Sequence, residues 1–302
     1  MSWIAKLKFH HLKTLVALAE QKNLTRVSEL MNITQPALSK WLSGLEEEIG
    51  MPLFERHSKG IRPTPGGLLV VKHARRLVND LERSTKDIEL FKEGIQGSLM
   101  IGSSPVATDV VSKAVLALLK DYPNVHVRII ESVMTPLLEQ LVSGHIDAVI
   151  GRVGGSALQL PLNYKVLYTE PICFVARPGH PLAGQPNIDW AQLIDYYWIV
   201  WPTGTPIRSS IDHALVDLGM MMPANHVESG SMSATVRMLQ GSDMVGILSQ
   251  RLAESFAKDR QLLILDLPKI EQKGSVGIFW RQNEPPSDTL EAFLGHLVEA
   301  SQ

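Results

Sequence analysis

The chain has 302 residues, of which 45% are apolar, so it is long enough to bury the cores of two or three domains. The formal net charge of −2 is unevenly divided: residues 1–97 carry 15 Lys and Arg against 11 Asp and Glu (+4), and the remainder carries 14 against 20 (−6). No run approaches the ~20 apolar residues of a membrane helix. Since the start also lacks the apolar core of a signal peptide, we expect a cytoplasmic protein with a basic head and an acidic body.

Two amphipathic helices are predicted first, around Leu12–Ala19 and Thr25–Met31. A third helix should follow the turn at Asn32-Ile33, because Thr34 can cap it and Pro36 fits its first turn. Apolar residues at spacings of three and four predict its buried face: Ala37, Leu38, Trp41, Leu42, Leu45 and Ile49. Its opposite face carries hydrogen-bonding side chains without a carboxylate: Gln35, Ser39, Lys40 and Ser43. This arrangement predicts a helix-turn-helix whose last helix enters the major groove of DNA.

A β-hairpin is predicted directly after this helix, over residues 51–64. An apolar strand leads to a basic tip that contains Gly60, and a return strand is closed by Pro63. Arg56, Lys59 and Arg62 on such a wing are expected at phosphates or in the minor groove.

A long helix is predicted from Thr64 to about Glu93, with Gly94 and Gly97 as a hinge after it. Its apolar and small residues alternate spacings of three and four, as in a heptad seam: Gly67, Val70, Ala74, Leu77, Leu81, Ser84, Ile88 and Phe91. Such a seam fits either a dimerisation helix or a helix that lies on its own domain. The length and regularity of the pattern favour the dimer.

From Gly97 onward, strands and helices alternate, which predicts parallel sheets with helices on both faces. Strands are expected at Ser98–Gly102, Val125–Ile130 and Ile146–Gly151. A second unit of the same type begins near Tyr164, and the chain ends with a strand at Gly274–Trp280 and a helix. Periodicity supports an α/β body without fixing how its strands are connected.

The run LTRVSELMNITQPALSKWLSGLEEEIGMPLFERHSKGIRPTPGG, with the helix after it, resembles the winged helix-turn-helix of LysR-type transcriptional regulators. The length and layout of the rest fit that family. The resemblance implies an α+β multidomain fold: a winged helix-turn-helix (1–64), a linker and dimerisation helix (65–96) and a periplasmic-binding-protein-like effector domain of two α/β lobes (97–302). Lobe I would comprise about 97–168 and 271–302, and lobe II about 169–270. Trp41 departs from the polar residue usual in the family, which predicts a more buried recognition helix or altered base contacts.

The resemblance also implies double-stranded promoter DNA as a partner, bound by a homodimer or homotetramer, and leaves RNA polymerase open as a further partner. The expected DNA-binding residues are Arg26, Thr34, Gln35, Pro36, Ser39, Lys40, Ser43, Arg56, Lys59 and Arg62. Among them, Gln35 and Ser39 are expected at base edges, and the cations at phosphates.

Small molecules bind open α/β sheets beyond the carboxyl ends of the strands. In LysR-type regulators the equivalent turns of the two lobes line the effector cleft, and here they carry hydroxyls. The expected effector-binding residues are Ser103, Ser104, Thr135, Thr203, Thr205 and Ser231. Each of them taken singly also fits a plain helix cap. The effector could be a carboxylate or a sugar, and Arg152, just past a strand, fits either an anion contact or a solvated charge.

The sequence shows no catalytic constellation, no metal-ligand spacing and no sign of a cofactor. Cys173, the single cysteine, stands in an apolar run, so a buried strand cysteine is favoured over a redox site. Two alternatives remain: an enzyme or solute-binding protein with an appended DNA-binding head, and a nonspecific architectural DNA protein. The acidic body of about 200 residues argues against the second.

Overall fold

A computed structural model describes residues 7–57, 60–267, 274–282 and 285–302. The described residues form two compact units, the first from residues 1–93 with 142–145 and the second from residues 94–141 with 146–302. Within these described ranges no helix is both long and apolar enough to span a bilayer.

The described residues of the first unit form four helices and a hairpin: α1 (Phe9–Gln21), α2 (Leu24–Leu30), α3 (Gln35–Ile49), β1 (Phe54–His57), β2 (Gly60–Pro63) and α4 (Pro65–Lys92). Side-chain oxygens cap three of the helices, because Asn23, Thr34 and Thr64 accept the N–H of the third residue after them. The core beneath α3 is mostly aliphatic, with Phe54 as its buried aromatic residue, and includes Leu15, Leu18, Val27, Leu38, Leu42 and Leu45. All the elements predicted here from periodicity are present.

The hairpin is held against the helices by backbone groups. Glu46 Oε1, near the end of α3, accepts the N–H groups of Leu53 (2.7 Å) and Phe54 (2.9 Å), where β1 begins. At the other strand, Ile61 N–H donates to the carbonyl of Lys22 at 2.9 Å. Gly60 is required there, since its φ is +124° and a Cβ would lie 2.1 Å from the same carbonyl oxygen.

The predicted seam of α4 divides into two differently placed parts. Gly67 and Ala74 are buried within the first unit, and a Cβ on Gly67 would lie 1.8 Å from the Leu53 carbonyl oxygen. Farther along, four large apolar side chains are exposed: Leu77 (54%), Leu81 (49%), Ile88 (58%) and Phe91 (75%). The helix therefore lies on its own domain at its start and presents an uncovered apolar face later.

Two five-stranded sheets are formed by the part of the second unit that the structure describes. The first sheet has the order β4-β3-β5-β12-β6. Its strands and helices are β3 (Gly97–Ser103), α5 (Thr108–Asp121), β4 (Val125–Glu131), α6 (Met134–Val142), β5 (Ala148–Arg152), β6 (Leu162–Glu170), β12 (Gly274–Arg281) and α11 (Asp288–Ser301). The parallel pairing predicted for the first three strands is confirmed, since β3 pairs parallel with β4 and β5, but β12 pairs antiparallel with β5 and β6, so the sheet as a whole is mixed. The sheet is mixed because the returning strand β12 enters between β5 and β6.

The second sheet has the order β11-β7-β10-β8-β9 and is also mixed. It consists of β7 (Ile172–Ala176), α7 (Trp190–Leu193), β8 (Trp198–Val200), α8 (Pro206–Asp217), β9 (His226–Glu228), α9 (Met232–Gln240), β10 (Val245–Ser249), α10 (Gln250–Lys258) and β11 (Leu263–Ile264). The sequence did not predict α10. Ala253 is its one buried residue, with Leu252 and Phe256 packed beside it, so the helix is amphipathic but carries few apolar residues to reveal it.

The contacts of Glu46 give a first prediction. Glu46→Ala removes the acceptor of two backbone N–H groups, so we expect a loss of about 1–3 kcal/mol in local stability. Hydrogen exchange at the amides of Leu53 and Phe54 in the intact chain measures this loss. Glu47→Ala, a neighbouring exposed carboxylate, is the matched control and should leave exchange unchanged. Equal protection in both variants would contradict the role assigned to Glu46.

Candidate DNA-binding surface and effector cavity

The apolar side of α3 orients its polar side. Leu38, Leu42 and Leu45 are buried, while Gln35, Lys40 and Ser43 are exposed. Ala37, which was expected on the buried side, is exposed because it lies in the first turn, which extends beyond the core. Trp41 is half-buried and stacks on His11, with ring centroids 5.0 Å apart and an interplanar angle of 28°. The expected burial of Trp41 is therefore partial.

The wing (β1 and β2) contacts α3 through Arg56 and Ser39, which are both among the predicted DNA-binding residues. Arg56 Nη2 donates to Ser39 Oγ at 3.1 Å, which leaves the serine proton free for an acceptor on DNA. Thr34 Oγ1 accepts the Ala37 N–H at 3.3 Å, so this hydroxyl also fixes the start of the helix. Arg26 and Arg62 are exposed, as is Pro36. Lys59 lies outside the described residues.

A cavity of about 50 Å³ lies in the second unit and is lined by elements of both sheets. Its lining residues are Ser104, Pro105, Val106, Val133, Met134, Arg152, Trp201, Thr205, Pro206, Ile207, Ser249 and Leu252. Parallel pairing of β3 with β5 brings Ser104 and Arg152 to the same edge of the first sheet, and Ser104 N–H donates to the Ile150 carbonyl at 2.8 Å. Ser249 ends β10 of the second sheet.

Two of the six predicted effector residues, Ser104 and Thr205, line this cavity. Ser103 is buried beside it and donates to the Ser104 carbonyl at 3.2 Å. The other three are exposed and lie outside the lining: Thr135, Thr203 and Ser231. Thr203 Oγ1 donates to Glu228 Oε1 at 3.0 Å, and Ser231 caps α9, so both hydroxyls have structural partners. Their assignment to an effector stays a prediction.

Ser249 was absent from the predicted set, and Arg152 was expected to be either an anion contact or a solvated charge; its burial contradicts the solvated charge. Arg152 is only 5% exposed, and none of its three guanidinium nitrogens has a hydrogen-bond partner among the described residues. The buried hydroxyl of Ser104 also lacks a partner there, whereas the Ser249 hydroxyl lies beside the Glu170 carboxylate and lowers its pKa. Burial lowers the pKa of Arg152, and the negative charge of Glu170 opposes that shift. The effector residues were predicted from hydroxyls in turns that follow apolar strands. Ser249 also follows an apolar strand, but no turn residue comes after it, so this signal did not single it out.

Glu170 is the buried acid near Arg152. Burial raises the pKa of Glu170, and the Arg251 N–H, which Oε2 accepts at 2.9 Å, together with the Arg152 charge, lowers it. Oε1 has no hydrogen-bond partner within the part of the chain described. The charges of Glu170 and Arg152 therefore attract each other without a direct hydrogen bond between the two side chains.

Cys173 lies in β7 and is half-buried rather than fully buried as expected. Burial raises the pKa of its thiol to about 12, with the charges of Glu254 and Glu170 acting in the same direction. Among the described residues no group of three or more His, Cys, Asp or Glu side chains could hold a metal ion.

This fold and these sites are those of a two-part DNA-binding regulator with a ligand-binding body. Two family profiles match the chain: "Bacterial regulatory helix-turn-helix protein, lysR family" over residues 9–68 and "LysR substrate binding domain" over residues 92–302. The chain belongs to the LysR family of transcriptional regulators. It is thus a LysR-type regulator with a helix-turn-helix and an effector-binding domain.

Similar proteins cover nearly the whole chain. The transcriptional regulator GbpR of Azospirillum brasilense is 32% identical over 300 residues, which span 98% of this chain and 87% of GbpR. PcaQ of Agrobacterium fabrum (strain C58 / ATCC 33970) is 28% identical over 298 residues, 98% of this chain and 96% of PcaQ. The crystal structure of full-length CbnR with its target DNA has a similar fold, with a TM-score of 0.67 at 18% identity over 97% of this chain and 100% of CbnR.

The pKa of Cys173 gives a second prediction. With a thiol pKa of about 12, the thiolate fraction at pH 7 is on the order of 10⁻⁵, so iodoacetamide should modify the native chain far more slowly than the unfolded chain. The pKa of the thiol is higher in the folded chain than in the unfolded chain, so the protonated thiol contributes to the free energy of unfolding. This contribution is complete below the unfolded pKa and is lost as the pH rises toward 12. Mass spectrometry of alkylation from pH 7 to 10.5 should show a rate still rising at the highest pH. A plateau below pH 9 would rule this out.

Proposed function

We propose that this chain acts in the cytoplasm as a homodimer or homotetramer that reads a two-fold operator with α3 and responds to a small molecule in the cavity. The observation that carries the proposal is the polar face of α3, held outward by three buried leucines. No carboxylate stands in the first turn of α3, so a phosphate backbone can approach it closely.

Base and backbone contacts divide between different residues of this surface. Gln35 is exposed at the start of α3, and its amide can bond the N6 and N7 atoms of adenine. Ser39 lies one turn later, at the position where the wing contacts α3. Lys40, Arg56 and Arg62 are exposed cations that suit phosphates, with Arg26 as a further backbone contact.

The exposed apolar face on α4 supports self-association through residues 65–96. Leu77, Leu81, Ile88 and Phe91 recur at spacings of three, four and seven, and each is about half exposed or more. A two-fold pair would present two copies of α3 to successive major grooves on one side of the duplex. RNA polymerase is a further partner in this proposal.

An enzymatic body is the main alternative. The described residues contain no group of three or more His, Cys, Asp or Glu side chains that could hold a metal ion, and the thiol of Cys173 is protonated at neutral pH. The matched relatives GbpR and PcaQ are named as transcriptional regulators. These names favour a regulatory body over an enzymatic one.

The third prediction concerns base reading. Gln35→Ala should weaken binding to the operator by about 1–3 kcal/mol while leaving affinity for unrelated duplex unchanged, because a base contact is lost. Lys40→Ala should weaken both duplexes equally and reduce the salt dependence by about one ion. Gel shifts and footprints on the promoter beside the gene measure both effects. Uniform loss in both variants, without protection of a two-fold repeat, would favour an architectural DNA protein.

The fourth prediction concerns the dimer. The double variant Leu77→Glu with Leu81→Glu places charges on the exposed face of α4, so it should be monomeric in light scattering and lose operator affinity. Lys72→Glu, on an exposed position of the same helix, is the matched control and should keep the wild-type mass. An unchanged mass in the double variant would place the interface elsewhere.

A further inference from the structure

We propose that the cavity binds the carboxylate of a small organic acid on the Arg152 guanidinium, with the Ser104 hydroxyl as an additional donor. This inference rests on the proposed effector function and specifies its ligand class. The observation behind it is a buried cation and a buried hydroxyl, those of Arg152 and Ser104, that line one cavity without partners among the described residues.

The contrast with Arg208 shows how unusual Arg152 is. These are the two buried arginines of the described chain. Arg208 Nε donates to Asp212 at 2.9 Å and its Nη1 donates to Glu228 at 2.8 Å, so its charge is fully paired. Arg152 has no such partner. Buried guanidinium groups are normally hydrogen-bonded, and a planar carboxylate accepts two of their N–H groups at once.

The fold holds Arg152 beside the cavity by close backbone approach. A Cβ at Gly274, the first residue of β12, would lie 1.3 Å from Arg152 Nη1, so only glycine leaves room for the guanidinium there. A Cβ at Gly151 would lie 2.5 Å from Ser104 Oγ, which places that hydroxyl directly over β5. Two glycines on neighbouring strands thus make space for the two polar groups.

The remaining lining favours an acid with an apolar body over a sugar. Val133, Met134, Trp201, Ile207 and Leu252 contribute apolar surface, and the lining contains no carboxylate. Sugar hydroxyls need many hydrogen-bond partners, which this surface does not provide. The cavity volume of about 50 Å³ is about a third of the ~150 Å³ that holds a benzene ring, so it admits the carboxylate end of an acid, and a larger apolar body extends through the open side of the cavity.

The competing explanation is that Arg152 serves only to balance the charge of Glu170. In that case Glu170 and Arg152 would support the fold together, and neutralising either one should have the same effect. If Arg152 binds an anion, the negative charge of Glu170 opposes that binding. Neutralising the two residues should then change carboxylate affinity in opposite directions.

The test measures thermal shifts of the full-length chain with benzoate and acetate, against benzamide and acetamide, at constant ionic strength. The carboxylates should raise Tm in the wild type, and the amides should not. Arg152→Gln should weaken the apparent benzoate affinity at least about tenfold, since a charge-assisted contact is lost. Glu170→Gln should strengthen it. Arg177→Gln, which breaks an ion pair of 2.7 Å with Asp243 away from the cavity lining, is the matched control and should behave as wild type.

Gly274→Ala gives a second variant in which the positive charge is kept. The new methyl group must displace Arg152, so benzoate affinity should fall as in Arg152→Gln. Equal carboxylate shifts in Arg152→Gln and wild type, equal shifts by the amides, parallel losses in Arg152→Gln and Glu170→Gln, or no carboxylate shift at all would each overturn the carboxylate site.

Galactose, included as a neutral ligand, separates this inference from the proposed function. A galactose shift that survives Arg152→Gln, without a carboxylate shift, would overturn the carboxylate site and leave a small-molecule regulator intact. Operator binding in the gel shift reports on the regulator function independently of either ligand.

Discussion

The parallel pairing of β3 with β5 is the interaction on which the ligand-binding body depends. It aligns Ser103 with Ile150, so the residues that follow, Ser104 and Arg152, emerge at one edge of the sheet. The returning strand β12 then pairs with β5 and places Gly274 against the guanidinium. Because β12 arrives from the second sheet, the same topology that joins the two lobes also shapes the polar end of the cavity.

A similar division of labour operates in the DNA-binding unit. Buried leucines on one side of α3 fix the direction of its polar side, as the core of any amphipathic helix does. Glu46, at the acidic end of α3, bonds the start of the wing, while Arg56 of the wing returns to Ser39. Acidic residues at the far end of α3 therefore support the wing while the end that approaches DNA stays free of negative charge.

Local sequence signals predicted the parts of the fold that depend on neighbouring residues. The cap at Thr34, the periodicity of α3 and the glycine of the wing are of this kind. Tertiary pairing decided the rest. The antiparallel insertion of β12 and the convergence of Ser249 with Arg152 join residues about 100 positions apart, and no pattern of short range encodes them. For the same reason Thr203 and Ser231, plausible from their positions after strands, turn out to bond Glu228 and cap α9.

The most direct measurement for the carboxylate site is a crystal structure of the full-length chain grown with benzoate. A carboxylate oxygen should lie about 2.7–3.2 Å from a guanidinium nitrogen of Arg152, with the ring against Trp201 or Ile207. Benzoate bound beside Thr203 and Ser231, with Arg152 turned to form an ion pair with Glu170, would contradict the site proposed for this cavity.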